Sequence, residues 1–398
     1  MNLLKQKYRD NENFRIFVQI LLFMLLSRLF MLIFVPIFNS IRGSDWSFSF
    51  VMNEWDAKRY QFMIDNGYTF PLDTDPQANW AFFPMYMLVC AFVKLLTFNT
   101  ADTLMVGMFV SNVCIFIAAF TAVKYLGLLK EKREAAGCLK NECSGNRMMV
   151  VILLFFAPYS FYFASTYTEA MFVMFIALFF YCCEKKQFVL AGLMSALASA
   201  TRIVGCLLVF ALLAELYMDM VPDKVTFQGI KTFIIKMLQT PRRILSVLLC
   251  PLGAFSYMAF LRFFCGDVWA YKNVQIAWRE DTYFPIIGVL WKACTGQIEF
   301  RYTYMGWFCI GIFVLYGYMI YRKYYTLAIF GIIALLVPLT SHVMSTCRFT
   351  VGSYVAFIGV HDLLCNCNKK LRWAILVFFG LAEIWLLFMW YNSDCWLM

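Results

Sequence analysis

Charge is scarce in this chain. Only 15% of its 398 residues are charged while 62% are hydrophobic, against about a quarter charged and half apolar in a soluble domain. Water is therefore not its main solvent, and no stretch is left over for a soluble domain. Histidine is nearly missing. His342 and His361 are the only two and are not near each other in sequence, so a histidine-based metal site lacks support, as does acyl transfer through a catalytic histidine. Repeats, Gly/Ser linkers, low-complexity tracts and strand-like alternation are also absent, which leaves a single domain over residues 1–398. The net charge of +10 comes from short basic clusters between apolar runs. Topology explains such clusters better than a nucleic-acid partner, which would want a continuous basic stripe.

What the chain has instead is apolar runs of membrane-spanning length. A bilayer core about 30 Å thick takes about 20 apolar residues per helix. Spans are expected near 14–38, 102–129, 148–164, 168–183, 187–201, 203–218, 244–264, 303–321, 326–341, 350–364 and 373–392. The first is too long for a signal-peptide core and is read as a retained helix. With a cytoplasmic N-terminus, the clusters Lys5 to Arg15, Lys130 to Arg147, Lys185-Lys186, Lys224 to Arg243, Arg322-Lys323 and Lys369 to Arg372 all face the cytoplasm. They hold more than half of the 34 Lys and Arg residues, as the positive-inside rule requires. That parity holds only if the apolar segment 81–98, with Pro84 and Lys94, is re-entrant or interfacial rather than spanning. The pair 187–201 and 203–218 is short and would form a hairpin with Arg202 at its outer tip. The fold class is thus an all-α polytopic integral membrane protein of about eleven spans, with outer loops 39–101 and 265–302. The fifteen cysteines show no paired metal spacing. Most read as small core residues, a disulfide among Cys265, Cys294, Cys347 or Cys395 being the alternative.

Polar residues of the outer face carry the chemistry. In NEWDAKRYQFMIDNGYTFPLDTDPQANWAFFPMY, Asn53 to Tyr86, Trp55 and Asp56 precede Lys58, Arg59 and Tyr60, with Asp56 and Tyr60 on one helical face and Gly67 and Pro71 breaking the helix. Asp56 could accept a proton from a hydroxyl. The alternative is an interfacial loop with Asp56 paired to Lys58 or Arg59. In FFAPYSFYFASTYTEAMFV, Phe155 to Val173, Pro158 ends one span, the Ser165–Thr166–Tyr167 turn follows, and Glu169 opens the next. A carboxylate there needs a partner or water, unless the positive helix N-terminus suffices. Arg202 and Arg348 both fall at outer helix ends. Together they form a candidate phosphate clamp, since a guanidinium fork donates parallel bonds to phosphate, or they snorkel or pair with Glu169 or Asp56. GDVWAYKNVQIAWRED, Gly266 to Asp281, could touch a sugar through Gln275 and Trp278, or lie as an amphipathic interfacial helix.

These motifs in this order resemble the PIG-V family of polyprenyl-phosphate-sugar-dependent mannosyltransferases. The resemblance rests on Trp55-Asp56 with Tyr60, Gly67-Tyr68, Ala81-Phe82-Phe83-Pro84, the Pro158 to Glu169 stretch, Arg202 with Gly205, and Arg348, and it runs over most of the chain. It implies a GT-C-type membrane glycosyltransferase with its site on the non-cytoplasmic side. The donor would be a polyprenyl-phosphate sugar, with mannose expected, and the acceptor a lipid or glycan hydroxyl. Asp56 is the implied catalytic carboxylate. Trp55, Lys58, Tyr60, Phe83, Pro84, Tyr167, Glu169, Arg202, Gln275, Trp278 and Arg348 are the implied substrate- or phosphate-binding residues. No cofactor is required, a divalent metal being compatible but unsupported. Asn79-Trp80 stand where the anchor-pathway members have Ser-His, and Gly266-Asp267, Ala270-Tyr271, Gln275 and Trp278 look like bacterial relatives. A bacterial plasma membrane is therefore expected over the endoplasmic reticulum. The rival reading is a transporter or lipid flippase without transferase activity, for which intramembrane charges would mark a substrate path. No inverted repeat supports it. A purely structural subunit would leave the outer charges without a purpose.

Overall fold

The computed structural model describes residues 8, 10–70, 78–135, 147–221, 225–277, 286–393 and 397. Pro71, Trp278 and Cys395 lie outside them, as do residues 5 and 7, 9, 136–146 and 224 of the basic clusters. The described residues form an all-α membrane protein with no strand.

Five helices are long and apolar enough to cross a bilayer: Glu12–Arg42, Thr103–Lys132, Ile203–Met220, Phe300–Tyr321 and Lys369–Tyr391. The pair Pro241–Leu249 and Leu252–Cys265, bent by 51°, makes a sixth if it is one span. The other expected spans fall on shorter helices. Met85–Leu96, within the segment expected to be re-entrant or interfacial, has 12 residues. At about 1.5 Å per residue it reaches only about 18 Å, short of a hydrocarbon core.

The helices divide by what they face. Only 22% of the apolar window in the first helix and 17% in the last is buried within the protein, against 67% for Thr103–Lys132. The outer helices turn Leu25, Leu29, Ile33, Phe378, Leu381 and Trp385 outward, a surface that suits lipid rather than water. Helix Glu169–Glu184 lies at the centre, alongside Thr103–Ala135 and Phe188–Thr201, with twelve of its residues buried. Phe188–Thr201 also meets Pro241–Leu249 and Leu252–Cys265 through small residues. A Cβ on Gly192 would collide with the Ser246 carbonyl, and one on Gly253 with that of Ala196. Such close backbone approach is how helices associate where burial from water offers no drive.

One expected span breaks midway. In 148–164 the helix is only Met149–Phe156, about 12 Å long. Pro158, which lacks an amide hydrogen, then leads into Tyr159 at φ 71° and a 3-10 turn, Ser160–Phe163. The next helix starts at Glu169. Irregular backbone at membrane depth must be enclosed by protein, and every residue from Tyr159 to Val173 is buried. The Pro158 to Glu169 connection is thus an internal platform rather than an external loop.

Candidate active site

Four charged side chains converge on this platform. Asp56 is the first residue of helix Asp56–Asn66, where exposed amides favour a negative charge. The preceding Trp55 holds φ 47° and sets its ring 4.9 Å from that of Trp390. As the spacing suggested, Tyr60 follows one turn later, and the helix ends at Gly67 with φ 72°. Glu169 opens its own helix and is fully buried. Arg202 stands in extended backbone between helix Phe188–Thr201 and the 3-10 turn Ile203–Leu207. Arg348 belongs to the short helix Thr346–Val351, entered through Ser345 at φ 61°.

The Arg348 Nη1 atom lies 2.7 Å from Asp56 Oδ2, and its Nε donates to Glu169 Oε1. Arg202 Nη1 donates to the same Glu169 oxygen at 2.8 Å. A carboxylate inserted at membrane depth costs about 2.5–3.5 kcal/mol when alone; here two guanidiniums share it. Both arginines thus pair with Glu169, and Arg348 with Asp56 as well. Asp56 chooses Arg348 over the local bases, and Lys58 instead meets Glu54 at 3.3 Å with its side chain 59% exposed, a contact worth little.

Aromatic rings floor the chain of charges. The Arg348 guanidinium carbon is 4.7 Å from the Tyr167 ring centroid and 5.4 Å from that of Tyr162, while that of Arg202 is 4.6 Å from Phe349. These are cation–π distances. Two phenols fasten the loop to the platform: Tyr60 donates to Thr168 Oγ1 at 3.4 Å and Tyr167 to the Glu54 carbonyl at 2.9 Å. Burial first, and then the charge of Asp56, pushes the Tyr60 phenol well above its ordinary range. It stays protonated and acts as a donor.

Access varies along the chain of charges. Glu169 is sealed, whereas the Asp56 and Arg202 side chains are 20% and 18% exposed. Of the two carboxylates, only Asp56 is open to its surroundings. Among the described residues, Glu169 Oε2 has no hydrogen-bond partner, and no three His, Cys, Asp or Glu residues gather as a metal cage.

Other nominated residues stand elsewhere. Phe83 is buried in a second cluster, with ring centroids 4.8 Å from Tyr257 and 5.5 Å from Tyr271. Its neighbour Phe82 is the ring against Tyr60, at 5.1 Å. Pro84 caps helix Met85–Leu96. Gln275 lies in the 3-10 turn Val274–Ala277, which packs against Asn79–Ala81, and it joins none of the ion pairs. Asn79 and Trp80, where the family pattern departs, hold their own loop: Asn79 Nδ2 donates to the Gly67 carbonyl at 3.1 Å and Trp80 Nε1 to that of Thr69 at 2.9 Å.

Sequence reasoning missed Tyr162, Phe349 and Trp390, which carry no charge signal. It also passed over Arg28 and Glu383, although a charge inside a spanning helix is itself a signal of function.

No family model matches the chain, and no curated protein does. Among solved structures it is similar to the archaeal oligosaccharyltransferase AglB from Archaeoglobus fulgidus, solved with an inhibitory peptide and a dolichol-phosphate. The TM-score is 0.45 and the identity 12%, over 97% of this chain and 56% of that one. The chain thus spans little more than half the length of the solved protein that it matches.

Proposed function

We propose that the chain is a membrane glycosyltransferase of the GT-C type. It moves a sugar, mannose on the PIG-V resemblance, from a polyprenyl-phosphate donor to an acceptor hydroxyl on the non-cytoplasmic face. The observation that carries this reading is the Asp56–Arg348 ion pair, whose carboxylate is partly exposed while the other carboxylate of the charge chain, Glu169, is sealed. Asp56 takes the proton of the acceptor hydroxyl. The acceptor oxygen then bonds to the anomeric carbon as the bond from that carbon to the phosphate oxygen breaks. One negative charge passes from Asp56 to the departing lipid phosphate. Arg348 loses its partner as the phosphate gains charge, and turns its fork from one to the other. Glu169 keeps Arg348 and Arg202 in place throughout. In this scheme the two guanidiniums serve as the cation for a monophosphate leaving group. The resemblance to bacterial relatives favours the plasma membrane as its location.

The test uses purified protein with polyprenyl-phosphate-mannose and an extract of candidate acceptors, and identifies the product by mass spectrometry. Loss of a positioned base should cost about 100-fold or more in Asp56→Asn. Equal transfer by variant and wild type would remove Asp56 from the mechanism. Movement of a solute or lipid across vesicles without sugar transfer would favour the transporter reading.

A further inference from the structure

The platform is held from both sides by ionisable side chains from two spanning helices. Glu383, in helix Lys369–Tyr391, is buried. Its Oε1 accepts the Ser160 hydroxyl at 2.9 Å and the Phe161 amide at 3.1 Å, at the start of the 3-10 turn Ser160–Phe163. Arg28, in helix Glu12–Arg42, reaches the other end. Its Nη2 donates to the Phe163 carbonyl at 3.4 Å, while Nε donates to Asn112 Oδ1 at 2.7 Å. Arg28 lies 14 residues before Arg42, about 21 Å along the helix, so it sits inside the span rather than at its rim. A carboxylate on the free amides of a turn and a guanidinium on its free carbonyl are each of the favoured sign.

Tyr162 projects from the clamped turn. Its ring centroid lies 5.3 Å from that of Tyr167 and 5.1 Å from that of Trp390, and the Arg348 guanidinium carbon is 5.4 Å away. Neither Glu383 nor Arg28 touches Asp56, Glu169, Arg202 or Arg348 among the hydrogen bonds and ion pairs of the described residues. A charge in a spanning helix is costly and calls for a purpose. Lipid exposure does not supply one here, because both charges point inward at the same turn.

We propose that Glu383 is a positioning residue for sugar transfer. With Arg28 at the opposite end, it fixes the Ser160–Phe163 turn so that Tyr162 and Tyr167 hold Arg348 between Asp56 and Glu169. The role requires a hydrogen-bond acceptor at the position of Oε1 rather than a negative charge. Its catalytic half rests on the transferase reading above; its structural half does not.

The experiment compares wild type, Glu383→Gln and Glu383→Leu in detergent. Hydrogen–deuterium exchange of the peptide spanning 158–167 is read beside kcat and the donor KM. Glu383→Leu should raise exchange at the Phe161 amide about tenfold or more. It should also lower kcat about ten- to a hundredfold through misplacement, with donor KM unchanged. Glu383→Gln, which keeps the acceptor, should stay near wild type in all three. Unchanged exchange in Glu383→Leu would overturn the clamp. Raised exchange with full kcat would overturn the positioning role, and Glu383→Gln failing as badly as Glu383→Leu would overturn the acceptor requirement. If Glu383→Leu does not fold, Ser160→Ala replaces it, with kcat expected to fall about threefold and full kcat counting against the proposal. A wild type without sugar transfer would defeat the function reading alone, the exchange data still deciding the clamp.

Discussion

Asp56 and Glu169 are two carboxylates on one arginine, and their removal should have different consequences. Glu169→Gln takes the shared partner from both guanidiniums at a site with no solvent to replace it. Breaking a buried pair by removing one member costs about 3–5 kcal/mol. The lower end applies, because Arg348 retains Asp56 at 2.7 Å and Arg202 retains the Phe349 ring at 4.6 Å. At roughly 2 °C per kcal/mol, a loss of about 3 kcal/mol lowers the melting temperature by about 6 °C. Asp56→Asn removes one ion pair from a side chain that is 20% exposed, while Arg348 keeps Glu169. That is worth about 1 kcal/mol, or about 2 °C. Heating each variant in detergent and following the monodisperse peak by fluorescence-detected chromatography reads these shifts; transfer assays on the same samples read activity. Asp56→Asn should be stable and inactive, and Glu169→Gln should be clearly less stable. The assignment of a working and an anchoring carboxylate fails if Glu169→Gln melts like wild type, or if Asp56→Asn melts as low as Glu169→Gln.

Three further outcomes are expected. Gly253→Val places a branched side chain against the Ala196 carbonyl and should destabilise the bundle by about 1–3 kcal/mol, visible in the same melt; an unchanged melt would deny the close approach. On the proposed mechanism, in which two guanidiniums stabilise the leaving phosphate, sugar transfer should survive excess EDTA within about twofold, and restoration of lost activity by a divalent ion would refute that. In a background whose native cysteines are blocked, Asp75→Cys should label from outside intact cells; labelling only after permeabilisation would invert the topology.

How far the sequence reaches can be judged residue by residue. Asp56, Glu169, Arg202 and Arg348 stand out because charges beside long apolar runs are costly and demand a reason. Pro158 and Gly67 mark breaks by their own backbone chemistry, and helices do end just before each. Which acid pairs with which base was not legible, because Arg348 meets Glu169 across 179 positions and local spacing pointed Asp56 at Lys58. Phe83 was nominated and Phe82 passed over, because adjacent rings on an irregular segment give no periodicity to separate core from site. Arg28 and Glu383 had a legible signal, an ionisable group within a span, but their common target, the turn Ser160–Phe163, emerges only when the first and last helices come together.

By itself, then, the sequence determined the solvent, the helical class and the residues whose burial would need compensation. These follow from transfer free energies that each segment carries wherever it packs. Tertiary structure alone decided that Met149–Phe156 stops partway, that the Pro158 to Glu169 backbone is enclosed, and that four charges share one chain with Glu169 sealed and Asp56 partly exposed. Those outcomes depend on which surfaces meet, and an ion pair gains its strength only where packing has already removed the water around it.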